Sequence, residues 1–246
     1  MTALRIYHTS DLHDHRGFAP RLRALRERAP GLLLDCGDSL RGSQTVYFKS
    51  EPIVAEMDAA GYDAQGAGNR EFHYLFGLMA ARARAMQHPF LCSNLIDLRG
   101  RALPFVPEIT FERDGWRVRL FALLVVQYPE GSPWERIFGW RFLDPLEVAR
   151  RFAATTPEGT TLVVLSHLGL KLDRMLARAA PRLDLILGGH SHDTLHAPEY
   201  VGGVPIVHAG PYGAYVSQTE LERTAGGRAQ LTSFELLPLL NAQAAP

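Results

Sequence analysis

An α/β fold is what this sequence predicts, on three observations. Short apolar runs alternate with segments that carry apolar residues at helical spacing. Five of those runs end in a small polar cluster, and the carboxyl ends of buried strands are where open α/β sheets gather ligands. The chain has 246 residues, 46% of them hydrophobic, which is enough for a substantial core.

Taken in order, residues 4–8 read as a strand, and 21–28 as a helix with Leu22 and Leu25 on one face. Pro30-Gly31 stops that helix before a strand at 32–35. Residues 52–60 predict a helix with Ser50 as its cap, Pro52 in its first turn and Gly61 at its end. A longer helix over 71–86 is expected to open directly from Gly68-Asn69, ahead of a strand at 90–93. Residues 105–111 and 116–126 predict a hairpin turning at Asp114-Gly115. The Pro-, Gly- and aromatic-rich stretch 127–143 reads as a packed surface loop in preference to a lid. A helix at 146–154 and two further strand-and-helix steps follow. Residues 204–209, 214–222 and 229–237 then look like successive antiparallel strands, the last pair turning at Gly226-Gly227. Residues 1–240 read as one domain and 241–246 as a frayed tail.

Composition excludes several classes. Lys plus Arg and Asp plus Glu both number 26, so nothing favours non-specific nucleic-acid binding or a membrane surface. Cys36 and Cys92 are too few for a disulfide framework and read as small buried side chains. No run approaches the roughly 20 apolar residues of a membrane span. A strand beginning by Leu4 leaves no room for a secretory leader, so the expected location is the cytoplasm.

The polar clusters are Asp11-Leu12-His13, Gly37-Asp38, Gly68-Asn69, Ser166-His167 and Gly188-Gly189-His190-Ser191-His192. Imidazole and carboxylate are the ligands hydrolytic metals favour, because they leave the ion Lewis acidic. Asp11 and His13 are two residues apart, so an extended chain aims both the same way, and His190 and His192 repeat that spacing. Asp38, at the next strand end, is the natural bridging ligand, and Asn69 offers a neutral carbonyl oxygen. Singly, each residue has a plain reading: a structural histidine, a cap, a turn. As an ordered set they point to a two-metal site.

That set resembles the signature of the calcineurin-like metallophosphoesterases: D-x-H, G-D, G-N-H-[DE], a lone His, then G-H-x-H. Within the superfamily, the stretch from His8 to His15, Asn69-Arg70-Glu71-Phe72, Gly188 to His192, and His208-Ala209-Gly210-Pro211-Tyr212-Gly213 are similar to the N-terminal catalytic domain of the 5′-nucleotidase branch. The resemblance runs from the first strand to about Ser217. It implies a four-layer α/β/β/α sandwich of two mixed β-sheets flanked by helices. It implies one ion held by Asp11, His13, Asp38 and His192, and another by Asp38, Asn69, His167 and His190. The two divalent ions would be drawn from Mn, Fe, Zn, Ni or Co. A hydroxide bridging them would attack phosphorus in a small phosphate mono- or diester, nucleotide-like substrates included. His15 and His208 fall in family motifs near the cleft and are expected to touch substrate with Asn69 and Arg70; His8 and His88 read as structural.

The chain departs from the family pattern in two ways. Arg70 replaces the motif histidine, which serves as the second catalytic group. Arginine can clamp phosphate through its planar fork, but it has no proton to give at working pH. Three residues on, His73 replaces the aspartate that supports that histidine. Positions 70 and 73 are expected to share one face at a helix start, so one reading is a swap in which Arg70 clamps and His73 donates; the other leaves His73 as packing. Without the motif histidine, diesters or activated monoesters are favoured substrates, and a metal-binding regulatory protein with attenuated hydrolysis is the alternative. The second departure is length. Typical 5′-nucleotidases carry a further C-terminal domain that grips the nucleoside, so base recognition is expected from this chain's own loops, from a partner, or not at all.

Overall fold

Alternation along the buried strands divides their apolar side chains between two faces. The computed structural model describes residues 3–240; the tail expected at 241–246 lies outside the described residues. In strand β1 (Leu4–Thr9), Ile6 faces a layer between two sheets while Tyr7 faces helices. Leu120 and Phe121 of β7 (Trp116–Leu124) split the same way, as do Val163 and Val164 of β9 (Thr161–His167).

β1 sits inside a six-stranded mixed sheet. On one side run β2 (Leu32–Asp35), β3 (Ala64–Gly66) and β4 (Phe90–Leu91), all parallel. On the other, β13 (Tyr215–Arg223) and β14 (Ala229–Pro238) are antiparallel. The second sheet has the order β11 (Glu199–Val201), β12 (Val204–His208), β10 (Leu185–Gly188), β9, β7, β6 (Glu108–Arg113), with antiparallel strands only at its edges. Helices α1 (Ala19–Arg28), α2 (Pro52–Ala60) and α3 (Phe76–Ala85) cover the outer face of the first sheet through Leu22, Ile53, Met57 and Met79. Helices α5 (Pro145–Thr155) and α6 (Leu170–Ala179) cover the second through Val148, Ala149, Leu176 and Ala177. The result is an α/β/β/α sandwich of two mixed sheets. Among the described residues no helix is long and apolar enough to cross a membrane.

Four elements differ from the sequence reading. Ser50 does not cap α2. Glu51 stands at that position, its carboxylate accepting instead from Arg41 and Gly42 N–H at 3.0 Å each. The helix expected over 71–86 begins only at Phe76, because the Glu71 carboxylate is engaged by backbone N–H groups of the chain before it. The stretch 127–143 is not featureless. It holds α4 (Pro133–Phe138), capped by Ser132, and β8 (Trp140–Phe142), which pairs with β5 (Leu95–Asp97). Its aromatics anchor it: the buried Trp140 donates from Nε1 to Tyr74 O at 3.0 Å, and Tyr128 donates to Trp140 O at 2.9 Å. Finally, β12 lies parallel to β10 in the second sheet, so it does not join β13 and β14 as an antiparallel run. The hairpin turn does fall at Asp114-Gly115, with both residues at positive φ (51° and 81°), the setting a two-residue turn requires.

A close crossing behind the last polar cluster yields a stability prediction. A Cβ on Gly188 would overlap His208 Nε2 and the Asp173 carboxylate, both buried. Gly188→Ala should cost about 1–3 kcal/mol through overpacking, seen as a Tm lower by several degrees. An unchanged Tm would show that His208 can step aside freely.

Candidate metal centre

The carboxyl ends of β1, β2, β3, β9 and β10 meet at one edge of the sandwich, and their loops are built tight. Asp11, His13, Asp14, Asp38, His190, His192 and Tyr212 all have positive φ, between 48° and 76°. Among the described non-glycine residues only Asp114 shares that conformation. Left-handed backbone is unfavourable for L residues and concentrates where the surrounding structure enforces it, commonly at functional sites. Here the enforcement is visible. Asp11 N–H donates to Gly37 O (2.9 Å), His13 N–H to Asp38 O (3.0 Å) and Asp14 N–H to Ser39 O (2.8 Å), zipping the β1 loop to the β2 loop. Glu71 then pins the second loop from below: its carboxylate accepts from Asp38, Ser39, Leu40 and Gly68 N–H at 2.7–3.1 Å. Gly68 has to be glycine, since a Cβ there would collide with Asp38 N.

On this frame the side chains converge. One carboxylate oxygen of Asp38 lies 3.7 Å from His13 Nε2, and its other lies 3.4 Å from His167 Nε2. Asp11 Oδ1 lies 4.0 Å from His13 Nε2 and 3.7 Å from His192 Nε2. Asp11 also accepts from His190 N–H at 3.1 Å, which ties the last cluster to the first. Asn69 Nδ2 stands 3.4 Å from His190 Nδ1. Edge-to-face ring contacts pair His13 with His192 (4.9 Å) and His167 with His190 (5.0 Å). The structure therefore gathers Asp11, His13, Asp38, Asn69, His167, His190 and His192 in one place.

The donors suit divalent cations. Asp11, His13 and His192 offer ligand atoms within 4.8 Å of one another, and so do Asp11, Asp38 and His167, giving two overlapping triplets. His13 Nε2 and His167 Nε2 are buried with no hydrogen-bond partner among the described residues, an arrangement costly without a ligand. His167 Nδ1 lies 2.9 Å from Cys36 O, so it carries a proton, and Nε2 is the nitrogen turned toward Asp38, the one that would give its lone pair to an ion in place of a proton.

Charge is concentrated and buried. Burial opposes ionisation of Asp38, but the facing His167 and His13 outweigh it and hold its carboxyl well below the usual range. Burial likewise opposes a charged His167, and the Asp38 carboxylate overcomes it, raising that imidazole to about 9. Glu71 is pushed up by burial and by Asp38, against the pull of its backbone donors. Behind the site, burial raises Asp35 to about 7 despite hydrogen bonds from Thr9, Ser39 and Gly37.

His8, the buried histidine on β1, is held down to about 3 by burial and then by His208. Its folded value lies below the ordinary value of about 6.5, so its contribution to stability is full above pH 6.5 and is lost as the pH falls toward 3. Asp35 has the opposite sign: its contribution is full below the ordinary carboxylate range and is lost as the pH rises through about 7. A variant isolates the histidine. Between pH 7 and pH 4.5, His8→Asn should lose about 2 kcal/mol less stability to urea than the parent does. Identical losses would mean His8 titrates normally.

The remaining expected residues are placed as follows. Arg70 donates its backbone N–H to Asp38 Oδ1 at 2.8 Å, and its Nη1 rests on the Leu40 and Arg41 carbonyls. His73 shares no helix face with it, since α3 starts at Phe76. Its ring is 4% exposed and packs toward Tyr47 and Arg82, and its Nδ1 accepts from Leu75 N–H. That geometry favours packing over proton donation. His15 sits at the rim, its ring 5.0 Å from Tyr212. His208 is corrected from a substrate contact to an interior group: it is buried and paired with Asp173 at 2.7 Å. Sequence reasoning left three residues of the site without a role. Glu71 lay in a quoted motif, and Tyr212 in another. Gln127, which donates to Asn69 Oδ1 at 3.1 Å, is remote in sequence and carried no signal.

No family model matches the chain. It is 29% identical to a Bacillus subtilis protein named as an uncharacterized metallophosphoesterase, YunD, over 89% of this chain and 50% of that protein. It is 27% identical to a 5′-nucleotidase of Vibrio cholerae, over 96% of this chain and 51% of the relative. Among solved structures, a 5′-nucleotidase precursor from Thermus thermophilus superposes with a TM-score of 0.79 at 27% identity, over 97% of this chain and 55% of that one. The calcineurin-like phosphoesterase YfkN of Bacillus subtilis shares the fold, with a TM-score of 0.74 at 19% identity, over 96% of this chain and 91% of that one. The chain thus spans about half the length of the curated relatives it matches. With the gathered Asp, Asn and His side chains and these likenesses together, the chain resembles metallophosphoesterases and 5′-nucleotidases in sequence, shares the fold of a calcineurin-like phosphoesterase, and matches the N-terminal part of the 5′-nucleotidase branch.

Proposed function

We propose that this chain is a metal-dependent phosphoesterase that uses two divalent ions to hydrolyse small phosphate esters, nucleotides among them. The observation that carries the reading is the pair of overlapping ligand triplets, with buried, unpartnered imidazole nitrogens turned toward Asp11 and Asp38. Relatives named metallophosphoesterase and 5′-nucleotidase support it over the attenuated binding protein. Asp11, His13, Asp38 and His192 would hold one ion; Asp38, Asn69, His167 and His190 would hold the other. Bound there, divalent ions supply Lewis acidity toward phosphoryl oxygens and bring the ionisation of water into the neutral range.

The chain's own groups do the rest. Asp38 turns one oxygen to each side, and the Arg70 N–H and Glu71 fix its loop. Only Nη1 of Arg70 is engaged by the Leu40 and Arg41 carbonyls, which leaves the rest of its fork for a phosphoryl oxygen. Because arginine gives up no proton, diesters and activated monoesters should outrun simple alkyl monoesters.

A panel of monoesters, linear and cyclic diesters and nucleotides, run with manganese and after chelation, tests the reading. Turnover that chelation abolishes and manganese restores is expected; a metal-loaded protein that cleaves no ester sinks it. His73→Ala should slow nitrophenyl and alkyl esters by the same factor, whereas a selective loss on alkyl esters would restore a proton-donating role.

A further inference from the structure

Tyr212 stands at φ 62°, an outlier for a bulky side chain, although Gly210 and Gly213 beside it (82° and 66°) already supply the chain reversal. The turn is fastened to the metal-ligand loop: Tyr212 N–H donates to Asp11 O at 2.8 Å. From that position the ring meets His13 and His192 edge-on, at 5.3 and 5.4 Å, and lies tilted against His15 at 5.0 Å. The side chain remains 37% exposed, and its hydroxyl has no hydrogen-bond partner among the described residues. A strained aromatic is thus held over the open rim of the Asp11, His13, His192 triplet with a donor to spare. Asn69 and Arg70 stand on the other side of Asp38, where the family's motif histidine is missing.

We propose that Tyr212 is a catalytic residue whose phenol O–H donates a hydrogen bond to a non-bridging oxygen of the bound phosphoryl group. It does so from the His13–His192 side, while Arg70 serves the Asn69 side. Two donors then flank the phosphoryl group as its negative charge grows in the transition state. No proton is transferred in this role, so its effect does not depend on the leaving group. The inference rests on the phosphoesterase reading.

Tyr212→Phe keeps the ring and removes only the donor, and Tyr212→Leu removes both. Three readouts separate the roles: manganese binding by calorimetry, inorganic phosphate binding to the manganese-loaded protein, and kcat/KM on a nitrophenyl and an alkyl phosphate. Tyr212→Phe should bind manganese like the parent and phosphate about tenfold more weakly, and should lose roughly 10- to 100-fold in kcat/KM by the same factor on both esters. Tyr212→Leu should weaken manganese binding as well. The proposal is overturned if Tyr212→Phe stays within about twofold of the parent on phosphate and on both esters. It is also overturned if its losses follow weakened manganese binding, which would make Tyr212 a prop for the two histidines. If the parent cleaves no ester yet Tyr212→Phe still weakens phosphate binding, the phosphoesterase reading fails and the Tyr212 contact stands. A parent that binds no phosphate ends both.

Discussion

Asp38→Asn should reduce turnover about 1000-fold or more, and lower the bound divalent metal from two equivalents to one. The carboxylate reaches toward His167 with one oxygen and toward His13 with the other, so it is the group that both halves of the site share. An asparagine has nearly the same volume and can still accept from the Arg70 N–H, so the loop should keep its shape. What it cannot do is present an anionic oxygen to both sides. Metal content by mass spectrometry and kcat/KM on an aryl phosphodiester are the measurements. A variant that retains two equivalents and stays within tenfold of the parent would show that Asp11, the residue common to both triplets, is the true bridge.

Much of this site was legible because its converging side chains sit in short clusters directly after strands. A run such as Leu32-Leu33-Leu34 announces the strand, and Gly37-Asp38 announces what its end presents. That residues 11, 13, 38, 69, 167, 190 and 192 would come together could be expected from local pattern and the resemblance alone. The choice between the two sheets was not local. β12 and β13 follow one another near the end of the chain, yet β12 pairs with β10, with His208 opposite Gly188, while β13 pairs with β1, and nothing within either strand's own residues dictates that division. The late start of α3 was hidden for a similar reason. Residues 71–75 have adequate helical composition, but the chain spends the Glu71 side chain on a loop thirty-odd residues away, and a helix opening there would turn that carboxylate elsewhere. Arg70 and His73 were paired on a helix face that tertiary bonding removes. Gln127 had no pattern to betray it, because its contact with Asn69 spans 58 positions.

Glu71 itself should carry the largest stability effect in the chain. Oε2 accepts from Asp38 N–H (2.7 Å) and Gly68 N–H (2.9 Å), while Oε1 accepts from Ser39 N–H (2.9 Å) and Leu40 N–H (3.1 Å). Burial and the nearby Asp38 raise its pKa. Each neighbour named is a donor, however, so a carboxyl proton would find no acceptor among them and the group works as a carboxylate. Glu71→Gln replaces one accepting oxygen with an amide that donates, setting donor against donor at two buried N–H groups. At about 1–3 kcal/mol for each orphaned group, the loss should be roughly 2–6 kcal/mol, or on the order of 10 °C in Tm for a chain of this size. Because the pinned loop carries Asp38, metal affinity should fall with it, about 10- to 100-fold, as for other groups that orient a ligand without touching the metal. Thermal melts and manganese calorimetry on Glu71→Gln and Glu71→Ala give both numbers, and Ala, which abandons all four N–H groups, should be the worse of the two. If Glu71→Gln melts with the parent and binds manganese equally well, then Glu71 is protonated in the folded chain, and the Asp38 loop keeps its left-handed turn without an anion beneath it.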